Sequence, residues 1–115
     1  MTITQAIKWA DELRANTIRT DQKAEWLIAL DKQLAHRMGV GEPNYEWPTE
    51  DKDLLLPSPY DEVYQLYLCC RIDYYNNETT MYGNDKAVYE SALDEALCWW
   101  RQTHCPAGGQ IVKVM

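Results

Sequence analysis

Residues 54–75, LLLPSPYDEVYQLYLCCRIDYY, decide the fold, because an apolar approach runs through two prolines into a long tyrosine-rich helical pattern. Ser58 is a preferred N-cap residue, Pro59 suits the first helical position where no N–H is needed, and Asp61 places a carboxylate against the free amides of the first turn. The pattern predicts a helix from Pro59 to about Asn77, a rod of about 28 Å at about 1.5 Å per residue. Tyr60, Val63, Tyr67, Cys70 and Tyr74 form its apolar stripe, while Asp61, Glu62, Gln65 and Asp73 gather on the opposite side. Arg71 falls inside the apolar sector. There it either snorkels with its aliphatic stem packed or pairs with an acid across a helix or subunit boundary.

Working outward, NNETTMYGND holds a break at Gly83 and a new cap at Asn84 or Asp85, from which a further helix reaches about His104. Tyr89, Ala92, Leu93, Ala96 and Trp100 share its inner face, and Pro106 with Gly108 and Gly109 ends it. On the N-terminal side, Ile3, Ile7, Ala10 and Leu13 lie on one stripe of a first helix, with Thr2 or Thr4 as cap and Asn16 and Thr17 at its end. A second helix begins near Thr20 and Asp21, carries Leu27, Leu30, Leu34 and Met38 with Trp26 at the border, and stops at Gly39. Its other face reads as charged and exposed. Between Gly39 and Pro57 the periodicity is lost, and Gly41, Pro43 and Pro48 punctuate a long connection containing Tyr45 and Trp47. Those two aromatics either anchor an interface or fold back over the helices. The expected fold is all-α: two long antiparallel helices, two shorter N-terminal helices and a long ordered loop. Residues 1–107 form one helical domain in this reading, and 108–115 a flexible tail or arm.

Composition limits the function. With 46% hydrophobic and 25% charged residues the chain reads as an ordinary globular domain; Phe is absent, yet there are eight Tyr and five Trp, aromatics that favour surfaces apolar at one end and wet at the other. The net charge of −7 is concentrated in residues 42–62, where Glu42, Glu46, Glu50, Asp51, Asp53, Asp61 and Glu62 face Lys52 alone. Such a surface repels phosphates and argues against specific nucleic-acid binding. Neither a signal peptide nor a membrane span is legible, so the reading is cytosolic. In that reducing compartment Cys69, Cys70, Cys98 and Cys105 are expected to be free thiols.

No catalytic pattern emerges. His36 and His104 lack a nucleophile at a recognisable spacing, and GxSxG, GxGxxG and phosphate-loop motifs are absent. A zinc site built from Cys98, His104 and Cys105 lacks the paired spacing of structural zinc sites. Glu90, Asp94 and Glu95 read as a solvated helix face. The expectation is a non-enzymatic protein without cofactor or metal.

The order of features resembles that of small helical head-tail connector, or adaptor, proteins of tailed phages and Firmicute prophages. The resemblance covers residues 3–107: the opening ITQAIKWADELR helix, a second helix with Trp26, a tryptophan-containing loop, the Leu-Pro-x-Pro-Tyr-Asp start, the Ile-Asp-Tyr and Asn-x-Glu stretch, and an ending before His104 and Pro106. The Cys69–Cys70 pair and the Cys-Trp-Trp cluster at 98–100 depart from that pattern. The resemblance implies a virion assembly protein that docks on the portal protein, meets a tail-proximal neck protein and forms part of a homo-oligomeric ring, monomeric before recruitment. It places the chain in the virion neck, and in the host cytoplasm during assembly. Tyr45, Trp47, Leu55 and Leu56 in the loop, Arg71, and Ile111, Val112 and Val114 in the tail are the expected partner contacts. The alternative is a small acidic regulatory or inhibitory module that binds a basic host surface through residues 42–62.

Overall fold

Thr2 opens the first helix, α1 (Ile3–Leu13), through a reciprocal cap: its hydroxyl accepts from the Gln5 amide at 3.2 Å, and the Gln5 side chain accepts from the Thr2 amide at 2.9 Å. The computed structural model describes residues 1–104, and the expected tail at 108–115 lies outside them. Among the described residues the chain is all-helical, with α1 followed by α2 (Thr20–Met38), α3 (Glu62–Tyr75) and α4 (Thr79–His104). Ile3, Ile7 and Ala10 are buried as their spacing implies, but Leu13 is exposed. α1 also ends earlier than expected. Its last residue is Leu13, and the Asn16 side-chain amide caps the exit by donating to the Arg14 carbonyl at 2.9 Å. Gly39 closes α2 at φ 72°, in the left-handed region that favours glycine.

The C-terminal half corrects two expected boundaries. α3 begins at Glu62, not Pro59, because Pro57 to Asp61 form tight turns in which the Tyr60 amide donates to the Pro57 carbonyl. Ser58 therefore does not cap the helix. The loop contains cis peptides at Trp47–Pro48 and Ser58–Pro59. At the other end, Gly83 does not break the chain: α4 starts at Thr79 and runs through it. Asn77 makes the turn instead, at φ 58°, while the Glu78 amide returns to the Asp73 carbonyl at 3.0 Å. At 14 residues α3 is shorter than the 19-residue α2, so only α4 is the long rod that the sequence pattern implied for both C-terminal helices.

One hydrophobic cluster joins the helices. Leu27, Leu30 and Leu34 of α2 meet Val63, Tyr64, Leu68 and Ile72 of α3 and Leu93, Ala96 and Leu97 of α4. α3 and α4 pack most extensively on each other, where Ala96 allows close approach. The buried face of α3 keeps Val63 and Cys70 of the expected stripe but also takes in Tyr64, Leu68 and Ile72, and Tyr74 is outside. Asp73, expected on the solvated side, is also buried.

The outer face of α2 is not uniformly solvated either. Asp31 is fully buried, and its carboxylate gathers donors from three places. Tyr64 Oη of α3 donates to Oδ1 at 2.5 Å, while the Leu55 amide at 2.9 Å and Tyr45 Oη both donate to Oδ2. Tyr64 Oη in turn accepts from the Leu56 amide at 2.8 Å. This hub satisfies backbone donors of the long loop inside the core, where an unpaired amide would be costly. It also explains how 23 residues without helix stay ordered between α2 and α3. Lys23 is similarly drawn in, bonding Asp11 at 2.6 Å and Asn16 at 3.0 Å and fastening the end of α1 to α2.

Removing the acceptor orphans three donors, whereas removing Tyr45, which is only half-buried, orphans least. Asp31→Ala is therefore expected to cost about 3 kcal/mol or more, Tyr64→Phe about 2 and Tyr45→Phe about 1, in that order, by urea unfolding followed through tryptophan fluorescence. Gly83 sits in mid-helix, and a Cβ placed there would touch nothing within 4 Å. Gly83→Ala should raise stability by about 0.5–1 kcal/mol, a gain of a few degrees in thermal midpoint; an unchanged or lower midpoint would contradict a continuous α4.

Candidate interaction surface

The long loop turns inward. Tyr45 is fastened to Asp31, and Trp47 and Leu55 are half-buried against the core cluster. Leu56 is fully buried, so its expected part in partner contact is corrected: the Tyr64–Leu56 hydrogen bond holds it in the interior. The return leg is tied down further where the Leu54 amide donates to the Met1 carbonyl at 2.8 Å and the Thr4 amide to Asp51 Oδ1 at 3.2 Å. Of the two readings open for Tyr45 and Trp47, folding back over the helices describes their positions. Ile111, Val112 and Val114 lie outside the described residues.

Among the described residues, Arg71 meets aromatic rings and no acid in its apolar placement. Its guanidinium carbon lies 4.5 Å from the Trp26 ring centroid and 5.9 Å from that of Tyr67, an arrangement that partly replaces lost hydration by cation–π attraction. Its Nε is buried without a hydrogen-bond partner. Arg71 thereby helps seat α3 on α2.

The exposed apolar side chains sit elsewhere: Trp9 and Leu13 on α1, Tyr74 and Tyr75 at the end of α3, and Met81 and Val88 on α4. Most of these were legible as apolar residues off the buried stripe of their helix, Trp9 clearest among them, since it stands between Lys8 and Asp11 on the polar side. Two shallow clefts lie on the same helices, one of them lined by Val88. One of about 480 Å³ runs along α1 beside Ile7, Lys8 and Glu12, and one of about 370 Å³ lies between Leu66 of α3 and Val88 of α4.

A charged junction sits at the base of the same helices. Arg14, at the exit of α1, reaches Asp85 of α4 through Nη2 at 2.7 and 3.0 Å and Asp73 of α3 through Nε at 3.2 Å. One cation thus faces two carboxylates, and Asp73 Oδ2 is buried with no donor among the described residues. Burial, reinforced by the neighbouring Asp85 carboxylate and opposed by Arg14, raises the Asp73 carboxyl to about 6. Burial also raises Asp31, against the three donors that favour its charged form.

Both histidines make local contacts. His36 Nε2 pairs with Glu42 at 2.7 Å on the open surface. His104 Nδ1 contacts the Thr103 hydroxyl and the Trp100 carbonyl, and Thr103 itself bonds back to the Trp99 and Trp100 carbonyls, as helix-end hydroxyls do. Cys69 and Cys70 are buried, which pushes their thiols up to about 11 and about 12, while Cys98 is exposed. Among the described residues no group of three or more His, Cys, Asp or Glu gathers around a common point, and no helix is long and apolar enough to cross a membrane. Cys105, part of the triplet weighed for zinc, lies outside the described residues. Comparison with known protein families, with curated proteins and with solved structures finds no match to this chain.

The raised carboxyls set the sign of the pH dependence. In the unfolded chain an Asp protonates near pH 4; in the folded chain Asp73 does so near pH 6. The folded state therefore binds more protons between those values, and stability rises as pH falls from about 7 toward about 4. The thermal midpoint of the wild type is expected to be higher at pH 5.5 than at pH 7.5, by a free energy of about 0.8 kcal/mol from Asp73. Asp73→Asn, which carries the neutral shape permanently, should flatten that difference; an equal slope in the variant would place the proton uptake elsewhere.

Proposed function

We propose that this protein is a phage or prophage virion assembly protein, a head-tail connector (adaptor) that docks on the portal protein and forms part of the neck ring. The proposal starts from the resemblance carried by residues 3–107 and gains support from one structural observation. Among the described residues, α1 and α4 both pack on α3 and meet each other through the Arg14–Asp85 pair at the exit of α1, and each displays large apolar side chains to solvent. A subunit in a closed ring needs two different faces, one for each neighbour. Trp9 and Leu13 supply the first and Met81 and Val88 the second. In this reading α3 and α4 form the antiparallel hairpin of the subunit and the fastened loop braces it.

The work of such a protein is contact and not turnover, with no cofactor, and its acidic surface suits a channel through which DNA must pass without being held. The portal protein and a tail-proximal neck protein are its proposed partners, and the virion neck its place. Tail residues Ile111, Val112 and Val114 remain proposed partner contacts, with the half-buried Trp47 and Leu55 at the margin.

The test is assembly with the portal protein encoded in the same gene cluster, followed by light scattering and negative-stain imaging. Rings of many copies on the portal are expected, and Trp9→Asp and Val88→Asp should each abolish them while leaving the helical spectrum and thermal midpoint unchanged, since both side chains are exposed. A chain that ignores the portal at high concentration would sink the connector reading. If that chain instead bound a basic protein through residues 42–62, the acidic regulatory module would take its place.

A further inference from the structure

At the corner where α3 ends and α4 begins, Tyr74, Tyr75 and Tyr82 surround a cleft of about 380 Å³ whose remaining walls include Asp73, Glu78 and Thr79. Tyr74 and Tyr75 are 66% and 56% exposed, so their rings contribute little to the core. Two exposed aromatic rings and a third, half-buried one around one cleft call for a ligand that aromatic faces recognise.

Their geometry selects the ligand class. Tyr74 stands edge-on to Tyr75 at 5.8 Å with 80° between the planes, and it tilts 56° from Tyr82 at 6.0 Å. A platform for a nucleobase or a sugar ring needs a broad flat face, whereas rings set at steep angles converge on a point and can surround an ion with their negative faces. The charges agree. Glu78 and Asp73 border the cleft, Asp73 Oδ2 has no donor among the described residues, and the chain carries a net charge of −7. The oppositely signed ends of α3 and α4 meet there and largely cancel, which leaves the carboxylates as the local field. The fold already uses neighbouring rings in this manner: Arg71 lies over Trp26, which packs against Tyr75 at 5.2 Å, and Lys86 Nζ lies 5.8 Å from the Tyr82 centroid.

We propose that this tyrosine corner is a docking pocket for a basic side chain, lysine or arginine, of a partner polypeptide. The guest cation sits among the three rings with Glu78 as its counter-charge. The pocket goes beyond the ring reading and does not depend on it, because it requires only a partner with an exposed basic residue.

The experiment titrates the whole chain with the peptides Gly-Gly-Lys-Gly-Gly and Gly-Gly-Arg-Gly-Gly, using the norleucine peptide as the neutral match of lysine, and follows backbone amide shifts. Binding of the basic peptides, with shifts confined to residues 73–82 and weakened by salt, is the expected result. Tyr74→Leu and Tyr82→Leu should each weaken it about fivefold, the size of one exposed cation–π contact. Glu78→Gln should weaken it as well and reduce the salt dependence. Tyr74 and Tyr75 are exposed, so Tyr75→Leu serves if Tyr82→Leu fails to fold. Equal binding of the norleucine peptide would overturn the proposal by showing an apolar patch without cation selectivity. Absence of shifts, or shifts untouched by the tyrosine variants, would overturn it too, as would tighter binding of uridine monophosphate at the same rings. Ring assembly on the portal with no peptide binding would leave the connector reading standing and remove this pocket; peptide binding without assembly would do the reverse.

Discussion

A carboxylate without a cation lies at the centre of this fold. Asp31 is taken fully out of water and held by the hydroxyls of Tyr45 and Tyr64 and the amide of Leu55. Desolvating a charge is costly, and only a complete set of donors makes the site tolerable. The donors come from α3 and from two distant points of the connecting loop, so the loop must close before the carboxylate is satisfied. Correct packing of α2 on α3 and correct placement of the loop are thus one event. The Leu56 amide on Tyr64 Oη extends that coupling by one further bond.

The consequence for function is a redistribution of surfaces. A connection rich in aromatics and acids looks in isolation like an arm reaching for a partner. Tethered at Asp31, at the Met1 carbonyl and at Asp51, it becomes an inner brace whose aromatic side chains cover the core. The large apolar side chains left exposed among the described residues then fall on helices or their ends: Trp9 and Leu13, Met81 and Val88, and Tyr74 and Tyr75 at the α3–α4 corner. Helical surfaces hold their side chains in register, and this suits recognition by shape and charge more than by folding on contact.

Charge is handled differently in different places. Lys23 and Asp11 form a buried-to-surface pair that closes the α1–α2 corner. Arg14 spans three helices but faces two acids, which leaves Asp73 partly unanswered and makes that junction sensitive to mild acid. Arg71 uses aromatic rings. Most of the remaining acids lie in water, where they keep the chain apart from phosphates and available to basic surfaces.

Periodicity and punctuation carried much of the architecture. The stripes Ile3–Ile7–Ala10 and Leu27–Leu30–Leu34, the Thr2 cap and the Gly39 stop are local properties, set by about 3.6 residues per turn and by backbone conformations open to few side chains, so they are legible without knowledge of any neighbour. The all-helical class follows from them. Where local signals competed, tertiary contacts decided. Ser58 and Pro59 form a sound helix start, yet the turns from Pro57 to Asp61 displaced it, and Gly83 looked like a break until Asn77 took the turn. Asp73, expected on the solvated side of its helix, and Asp31 and Lys23, on a face of α2 read as charged and exposed, are buried for one reason: a polar side chain enters the core only when partners elsewhere in the chain supply its hydrogen bonds, and no local pattern announces those partners. The identity of the helices was written in the sequence; which polar groups they enclose, and therefore which apolar groups remain outside, only the assembled structure determined.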